Sequence, residues 1–228
     1  MALHHNPRIV TDGLVSLADT QTPSPSGKVY DPISGGYLTV SGATIGDQYS
    51  GITFNGTSDY ASGDSTYSNA FNFDTGDFTV ELWIKQHTVQ SSWRGIWAKG
   101  SSGNQGFALL KYGDSGTKLS TSIDAPDNTH FSNSDGDFSS HLGKWVHACT
   151  TWDRDNNAKI YFNGVHTATN DISGQSGTVN GSTVYLASWQ GSSWFWDGQL
   201  DSIKGYNRTL SANEVLQNYN AQRVRFGL

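Results

Sequence analysis

The chain has 228 residues and a formal net charge of −6 at pH 7. Because Lys and Arg form no cluster, it lacks the basic surface that a phosphate backbone requires, and nucleic acid is excluded as a partner. No apolar run approaches the roughly 20 residues of a membrane-spanning helix, so membrane insertion is not expected. Aromatic residues make up 12% of the chain, which argues for a packed core and against disorder.

The first 46 residues are rich in Pro, Ser and Gly and contain two short apolar stretches, at 8–17 and 37–40. We interpret residues 1–46 as an extended N-terminal arm that packs on the rest of the chain and supplies an edge strand. Residues 47–228 are then one domain. Residues 1–11 lack the apolar segment of a signal peptide, and the single cysteine, Cys149, excludes an intrachain disulfide.

From residue 51 onward, short segments of strand composition alternate with turn residues. In residues 78–85 apolar and other side chains alternate with period two, as in a strand with one face on the core. Asn163-Gly164 is a favoured hairpin turn and predicts a three-stranded antiparallel meander over 145–169. The predicted strands are 51–54, 78–86, 95–99, 106–112, 118–123, 145–152, 158–162, 184–188 and 198–206.

One helical pattern occurs, at residues 210–219, where Ser211 can cap the helix and Glu214 can close a capping box. Many short strands followed by one late helix predict an all-β fold. The expected architecture is an antiparallel two-sheet β-sandwich or jelly roll with one short C-terminal helix.

Four segments carry a family resemblance: 54–60 (FNGTSDY), 78–84 (FTVELWI), 143–164 and 198–215, of which the last is the most specific. Over about residues 53–221 the chain resembles the laminin-G-like branch of the concanavalin A-like superfamily. Residues 9–15 and 214–228 are similar to such modules in structural proteins of tailed phages. This second resemblance implies a virion protein, made in the host cytoplasm without a signal peptide and released by lysis in an extracellular particle.

Residues 147–152 are also similar to the pentraxin relatives, in which the cysteine pairs with a second cysteine on the strand that matches residues 78–84. The resemblance places Glu81 at that partner position. It therefore implies that the disulfide is absent and that Glu81 and Cys149 lie close together on neighbouring strands.

Glycoside hydrolases occur on this fold, so hydrolysis must be considered. A retaining hydrolase needs two carboxyl groups about 5 to 5.5 Å apart. The chain has only two glutamates, Glu81 and Glu214, and its close acid pairs fall in the predicted turns 135–137 and 153–155. We therefore predict no catalytic residue and no enzyme, and a polysaccharide-degrading enzyme is a distant alternative.

Calcium is common in the superfamily and takes about six to eight oxygen ligands. Residues 153–157 have the alternating oxygen ligands that begin a calcium loop, but lack the glycine and the distal glutamate that follow in one. The positions of the pentraxin calcium loops, near 104–105 and 189–191, carry no carboxylate. No metal ligand or cofactor is predicted, and calcium is left as a weakly supported alternative.

Tryptophans in predicted loops are the strongest functional signal, because their Ser, Gly and Gln neighbours are not those of a core. An indole face offers flat apolar area to a sugar ring, while nearby polar groups can bond its hydroxyls. The predicted carbohydrate-binding residues are Trp93, Arg94, Asn104, Gln105, Trp189, Gln190, Trp194 and Trp196. Alternatively, these indoles plug the sandwich edge or contact a neighbouring subunit. The strand tryptophans Trp83, Trp97, Trp145 and Trp152 are expected to pack in the core or on a sheet.

The leading functional hypothesis is a non-catalytic, lectin-like module of a phage structural protein that binds a cell-surface or environmental polysaccharide. Other virion proteins would be further partners. The alternative is a purely structural virion protein, such as a capsid decoration or fibre subunit, that makes only protein contacts. The arm and the tail at 222–228 could exchange between subunits, which leaves a homo-oligomer open.

Overall fold

The computed structural model describes residues 7–47, 49–100, 106–112, 118–125, 129–133, 138–181 and 183–228. These ranges form two antiparallel sheets of eight strands each, so the predicted all-β sandwich is confirmed. The strands are β1 (Leu14–Ala18), β2 (Lys28–Tyr30), β3 (Tyr37–Ser41), β4 (Thr44–Ile45), β5 (Ile52–Asn55), β6 (Tyr60–Gly63), β7 (Phe78–Gln86), β8 (Arg94–Lys99), β9 (Phe107–Tyr112), β10 (Lys118–Asp124), β11 (Thr129–Asn133), β12 (Trp145–Trp152), β13 (Asn157–Phe162), β14 (Val165–Asp171), β15 (Val184–Leu186) and β16 (Asp197–Tyr206). The helices are α1 (Ser65–Asn69) and α2 (Ala212–Gln222), with a 3₁₀ turn at Phe138–His141.

The first sheet has the order β14-β13-β12-β7-β16-β5-β4, and β1 pairs with the second half of β16. The strands β12, β13 and β14 form the predicted meander around the Asn163-Gly164 turn. Cys149 of β12 lies directly opposite Glu81 of β7, and its thiol is free. The expectation that these two residues are neighbours without a disulfide is confirmed.

The second sheet has the order β11-β10-β9-β8-β15-β6-β3-β2. Side chains alternate between its two faces in β3, β6 and β15. Leu38, Ala61 and Leu186 point into the core, so the residues next to each of them in its strand point to the outer face. The predicted arm, residues 1–46, supplies β1 and β4 to the first sheet and β2 and β3 to one edge of the second.

The core between the sheets is dominated by aromatic side chains. Phe78 stacks on Phe73 at 4.7 Å and on Trp152 at 4.5 Å between ring centroids, and Trp97 packs on Phe107 at 5.2 Å. Each such ring removes about 150 to 250 Å² from water, so these contacts contribute strongly to holding the two sheets together. The expectation that the strand tryptophans are packing residues is confirmed for Trp97 and Trp152, which lie in this core.

The other two strand tryptophans, Trp83 and Trp145, lie on the opposite face of the first sheet and pack against Phe226. The segment that covers them begins at α2, where the Ser211–Glu214 capping box is present as predicted. The C-terminal tail thus packs on its own domain. Neither helix of the described ranges is long and apolar enough to cross a bilayer.

Candidate functional site

Three of the predicted loop tryptophans come together on the outer face of the second sheet. The Trp93 and Trp194 rings stack at 5.8 Å between centroids with 22° between planes, and Trp194 and Trp189 lie 5.1 Å apart at 41°. All three side chains are half-buried. We call these three residues the tryptophan cluster; it forms one continuous aromatic surface at the end of β8.

Small side chains beneath the tryptophan cluster let the indoles lie close to the sheet. Trp93 and Trp189 pack against Ala98, Ala108 and Leu110. These three residues belong to β8 and β9 and face away from the main core, which takes the alternate residues Phe107 and Leu109. The strand alternation therefore places a second, thin apolar layer outside the sandwich.

The backbone around residues 188–194 is held in a tight loop. The Trp189 amide donates to the Ser193 carbonyl at 2.8 Å, and the Gly95 amide donates to the Trp194 carbonyl at 2.8 Å. Gln190 and Trp194 adopt left-handed backbone angles, with φ of 57° and 51°. Such angles are unusual for residues with a side chain and occur mainly at ligand sites and tight turns, where the surrounding structure holds them.

Two polar side chains fix the loop that carries Trp93. Gln90 links it to the loop that carries Trp194, and Lys111 links it to β9. The Gln90 side chain donates to the Phe195 carbonyl at 3.0 Å and accepts from the Asp197 amide at 2.9 Å. The buried Lys111 ammonium donates to the Ser92 carbonyl at 2.8 Å and also to the Gln90 carbonyl. These bonds preorganise the tryptophan cluster. Sequence reasoning missed both residues, because each looks like an ordinary loop or strand position.

Gly95 permits the close approach of the two loops. A Cβ atom at this position would lie 2.4 Å from the Ser188 carbonyl oxygen and 2.9 Å from the Trp189 amide nitrogen, both of them backbone atoms. We expect Gly95→Ala to displace the Trp189 loop and thereby to change the tryptophan emission spectrum. Overpacking should also lower the free energy of unfolding by about 1–3 kcal/mol. Gly174→Ala is the matched control, since an added Cβ there has nothing within 4 Å. Urea unfolding followed by fluorescence measures both; equal behaviour of the two variants would contradict the role given to Gly95.

Two tyrosines that sequence reasoning missed extend the aromatic surface. Tyr60 of β6 and Tyr185 of β15 lie 6.3 Å apart between ring centroids, on the outer face of the sheet. A Cβ atom added to Gly191 would lie 3.1 Å from the Tyr185 ring and 3.2 Å from the Tyr60 ring, so the tryptophan-bearing loop rests on this tyrosine pair. The alternation in Val184-Tyr185-Leu186 is the signal that could have indicated a Tyr185 ring on the outer face of the sheet.

The remaining predicted residues have different positions. Arg94 is half-buried, and its Nη1 donates to the Trp93 carbonyl at 2.8 Å, which places the guanidinium at the rim of the tryptophan cluster. Gln190 is exposed on the same loop. Asn104 and Gln105 lie outside the described residues. The role of these residues in binding stays a prediction.

The placement of Trp196 at a ligand-facing surface is wrong. Its side chain is fully buried in the main core, against Gly198. The reason is that β16 begins at residue 197 and the Trp196 amide donates to the Ala187 carbonyl at 2.9 Å. The backbone at 196 therefore already runs along the sheet. Trp194 and Trp196 look alike in the sequence SSWFWD, but only Trp194 belongs to the loop.

Carboxylates do not gather at the tryptophan cluster in the described part of the chain. Asp197, which begins β16, is bound by the Thr88 hydroxyl and lies 3.5 Å from His87 Nδ1. Glu81 is buried in the other sheet, and Glu214 pairs with Arg208 at 2.7 Å. Asp153 and Asp155 lie in the turn between β12 and β13, as the sequence indicated; residues 135–137 lie outside the described ranges.

No set of three or more His, Cys, Asp or Glu side chains in the described ranges is arranged to hold a metal ion. Residues 153–157, considered as a calcium loop, close a turn in which the Asp153 amide donates to the Asn157 carbonyl at 3.0 Å.

Two concave sites lie away from the tryptophan cluster. One, of about 510 Å³, is lined by residues 20–29 together with Ala43 and Ile45, at the edge of the sandwich. The other, of about 340 Å³, lies between β12, β13 and the start of α2 and is lined by polar side chains that include Lys159 and Glu214. Neither has aromatic stacking surfaces like those of the tryptophan cluster, which is an open face and not a pocket.

Comparison with known families shows which family the chain belongs to. Residues 55–216 match the family model of the concanavalin A-like lectin/glucanases superfamily. The chain belongs to this superfamily. The matched segment contains β6 to β16 and so includes all three residues of the tryptophan cluster. No curated protein matches the chain in sequence.

Among solved structures, this superfamily member is similar to the receptor-binding domain of botulinum neurotoxin C/D mosaic serotype, with a TM-score of 0.75 and 11% identity over 93% of this chain and 52% of that chain. It is also similar to the binding domain of botulinum neurotoxin DC in complex with SialylT, with a TM-score of 0.68 and 14% identity over 92% and 52%. A third structure, of that binding domain in complex with rat synaptotagmin II, has a TM-score of 0.69 and 14% identity over 92% and 51%. The chain thus spans about half the length of these domains, and at such identities the likeness concerns the fold alone.

Proposed function

We propose that this protein is a non-catalytic carbohydrate-binding module that recognises a cell-surface or environmental polysaccharide. The observation that carries the proposal is the tryptophan cluster: three indoles from two loops that contact one another on the outer face of the second sheet. They are half-buried and rest on their own small apolar layer. The cluster therefore lies outside the main core, with part of each indole exposed.

The chemistry of this surface suits a sugar. Indole faces pack on the C–H face of a pyranose ring, and polar groups around them bond its hydroxyls. Arg94 and Gln190 lie beside the indoles and supply such groups. The loops are fixed by Gln90 and Lys111, so little conformational entropy is lost when a ligand binds.

The absence of catalysis is proposed from the positions of the acids. Both glutamates of the chain have structural partners, Lys204 for Glu81 and Arg208 for Glu214, and neither lies near the tryptophan cluster. The superfamily also contains glucanases, but a glycosidase needs two carboxyl groups at the reacting bond. The complex of a neurotoxin binding domain with SialylT supports glycan binding by analogy of fold only.

The test is binding to a panel of neutral and uronate-containing polysaccharides by affinity electrophoresis and isothermal titration calorimetry. We expect at least one polymer to bind, and Trp194→Ala to weaken that binding by about tenfold or more, since buried aromatic contacts dominate such interfaces. Tyr49→Ala is the matched control, because Tyr49 is an exposed aromatic residue outside both the cluster and the second sheet.

Three outcomes would contradict the proposal. One is that no polymer of the panel binds, and another is that Trp194→Ala and Tyr49→Ala bind equally well. The third is release of reducing sugar or of unsaturated uronates by the wild-type protein, which would make it an enzyme.

We further propose that the module is carried by a phage particle, together with other virion proteins. The support is the resemblance of residues 9–15 and 214–228 to modules of phage structural proteins. Mass spectrometry and immunogold labelling of purified particles test this setting. A labelled particle on which the tryptophan cluster is inaccessible would favour the alternative, a decoration or fibre subunit that makes only protein contacts.

A further inference from the structure

We propose that the ligand-binding face extends beyond the tryptophan cluster, diagonally across the second sheet to Tyr30 and Tyr37. It would take an internal stretch of a neutral, linear polysaccharide and not a terminal sugar. This inference rests on the proposed function and specifies the ligand of the same surface. We call the surface formed by the tryptophan cluster and the outward residues of β15, β6, β3 and β2 the binding band.

The binding band follows from strand alternation and register. Tyr185 is opposite Ser62 on one side and opposite Ala98, which lies under the tryptophan cluster, on the other. Ser62 is in turn opposite Thr39 of β3. These are the outward positions, because their neighbours Ala61, Leu38 and Leu186 fill the core.

A second aromatic pair ends the binding band. Tyr30 and Tyr37 are directly opposite each other on β2 and β3, and their rings lie 5.0 Å apart at 40°. Both are half-buried, as are Tyr60 and Tyr185. Along the band, aromatic surface therefore alternates with the hydroxyls of Ser62 and Thr39.

The length of the binding band excludes a single sugar as its full ligand. From β3 to β8 there are three inter-strand steps, which amount to about 14 Å at the usual sheet spacing. The Tyr30 ring and the tryptophan cluster extend the band further at its two ends. Several sugar rings in a chain are needed to cover that distance.

The polarity of the binding band matches an uncharged polymer. The outward positions of its three strands β3, β6 and β15 are Tyr37, Thr39, Ser41, Tyr60, Ser62 and Tyr185, none of which is charged. Among the described residues, the cations of the binding band lie at its two ends. Lys28 of the edge strand β2 is opposite Thr39 and lies over the Tyr37 ring at 5.3 Å, and Arg94 lies beside Trp93. In the described part of the chain, no hydrogen bond joins the hydroxyl of Tyr30, Tyr37, Tyr60 or Tyr185 to another protein group.

Those free hydroxyls, with the Ser and Thr hydroxyls between them, can exchange hydrogen bonds with a polymer that presents hydroxyls at every ring. A protein partner instead favours a continuous apolar centre with a polar rim. The hydroxyl-bearing positions in the middle of the binding band interrupt any such centre. Charge and polarity thus favour a neutral glycan chain as the occupant.

The experiment measures how affinity depends on chain length. A neutral polymer that binds in the panel above is cut by mild acid, and its fragments of two and of eight sugar units are isolated and titrated. We expect the eight-unit fragment to bind at least tenfold more tightly than the two-unit fragment. Tyr37→Ala should weaken binding of the eight-unit fragment three- to tenfold and leave the two-unit fragment unchanged, whereas Trp194→Ala should weaken both.

Thr39→Lys is a second variant at an exposed strand position of the binding band and should affect the eight-unit fragment in the same way. Tyr49→Ala should affect neither fragment. A long fragment can also bind to a short site in several positions along its length, which by itself raises its affinity. The binding band is therefore supported only if the Tyr37 and Thr39 variants also bind the eight-unit fragment more weakly than wild type does. Thermal unfolding confirms that each variant is folded.

The outcomes separate this inference from the proposed function. If eight-unit fragments bind to the Tyr37 and Thr39 variants as they bind to wild type, or if only uronate polymers bind, the inference is overturned while glycan binding stands. If no polymer of the panel binds, the proposed function fails and the inference fails with it.

Discussion

Replacing Glu81 by Gln is expected to lower the free energy of unfolding by about 3–5 kcal/mol, because the change leaves the buried Lys204 ammonium without its counter-charge. Glu81 is fully buried under α2, with Lys204 Nζ at 3.1 Å and His147 Nε2 at 3.3 Å from its carboxylate oxygens. The Asn218 side chain of α2 donates to the same carboxylate at 3.1 Å. Urea unfolding at pH 7, followed by circular dichroism, measures the loss.

The same variant has a pH signature. Burial by itself raises the pKa of Glu81, but Lys204, His147 and Asn218 outweigh it and lower the pKa to about 2, from an ordinary value of 4.5. A lowered folded-state pKa gives stability that is fully present above pH 4.5 and is lost as the pH falls towards 2. The difference in free energy of unfolding between wild type and Glu81→Gln should therefore shrink by about 3 kcal/mol over this range.

A surface ion pair provides the control. Asp12 bonds Arg208 at 2.9 Å, but its side chain is 87% exposed, so Asp12→Asn should change the free energy of unfolding by less than about 1 kcal/mol. The double variant Glu81→Leu/Lys204→Met removes both charges and should be more stable than Glu81→Gln. If Glu81→Gln cost no more than Asp12→Asn, or if its cost did not change between pH 5 and pH 2, the buried pair would not have the role described.

Removing the Phe226 ring is expected to lower the free energy of unfolding by about 3–5 kcal/mol, as for other buried Phe→Ala changes. Phe226 is 5% exposed, stacks on Trp83 at 4.1 Å with 17° between planes, and packs on Trp145 at 4.9 Å. Its neighbour Arg225 bonds Asp19 at 2.6 Å and also Asp201. The ring thus anchors the last residues of the chain to the outer face of the first sheet.

Thermal unfolding followed by tryptophan fluorescence measures this change, because the lost ring packs on Trp83 and Trp145. Leu228→Ala, two residues further along, is the matched control because Leu228 is 42% exposed, and it should shift the midpoint little. A Phe226→Ala protein with the stability of Leu228→Ala would show that the tail covers Trp83 without stabilising the fold.

Most of the sandwich was predictable from local patterns. In β7 the alternation of side chains depends only on whether a residue faces the core, and residues 78–86 were predicted with the observed bounds. The Asn163-Gly164 turn and the Ser211–Glu214 capping box are interactions between residues close in sequence, and both are present. Short strands such as β2, β4 and β6 were not predicted, because a strand of two to four residues is too short to show a period.

The candidate site was predictable in part. Trp93, Trp189 and Trp194 are surrounded by Ser, Gly and Gln, and this polar setting correctly indicated half-exposed loop positions. Trp196 follows Trp194 by two positions in the same predicted loop, yet the start of β16 turns it into the core. Tyr60 and Tyr185 are 125 positions apart in the chain, and only the order of strands in the second sheet brings their rings to 6.3 Å.

The amino-acid sequence by itself therefore determined the all-β class, the superfamily, the late helix α2 and the existence of tryptophans that a core does not need. These properties depend on periodicity, turns and caps, which act over a few residues. The tertiary structure alone decided which indoles share a surface, which tyrosines extend it, and which acids have a buried charge partner, as Glu81 has in Lys204. The physical reason is that strand order and register join residues far apart in the chain, and contacts over such distances leave no local pattern in the sequence.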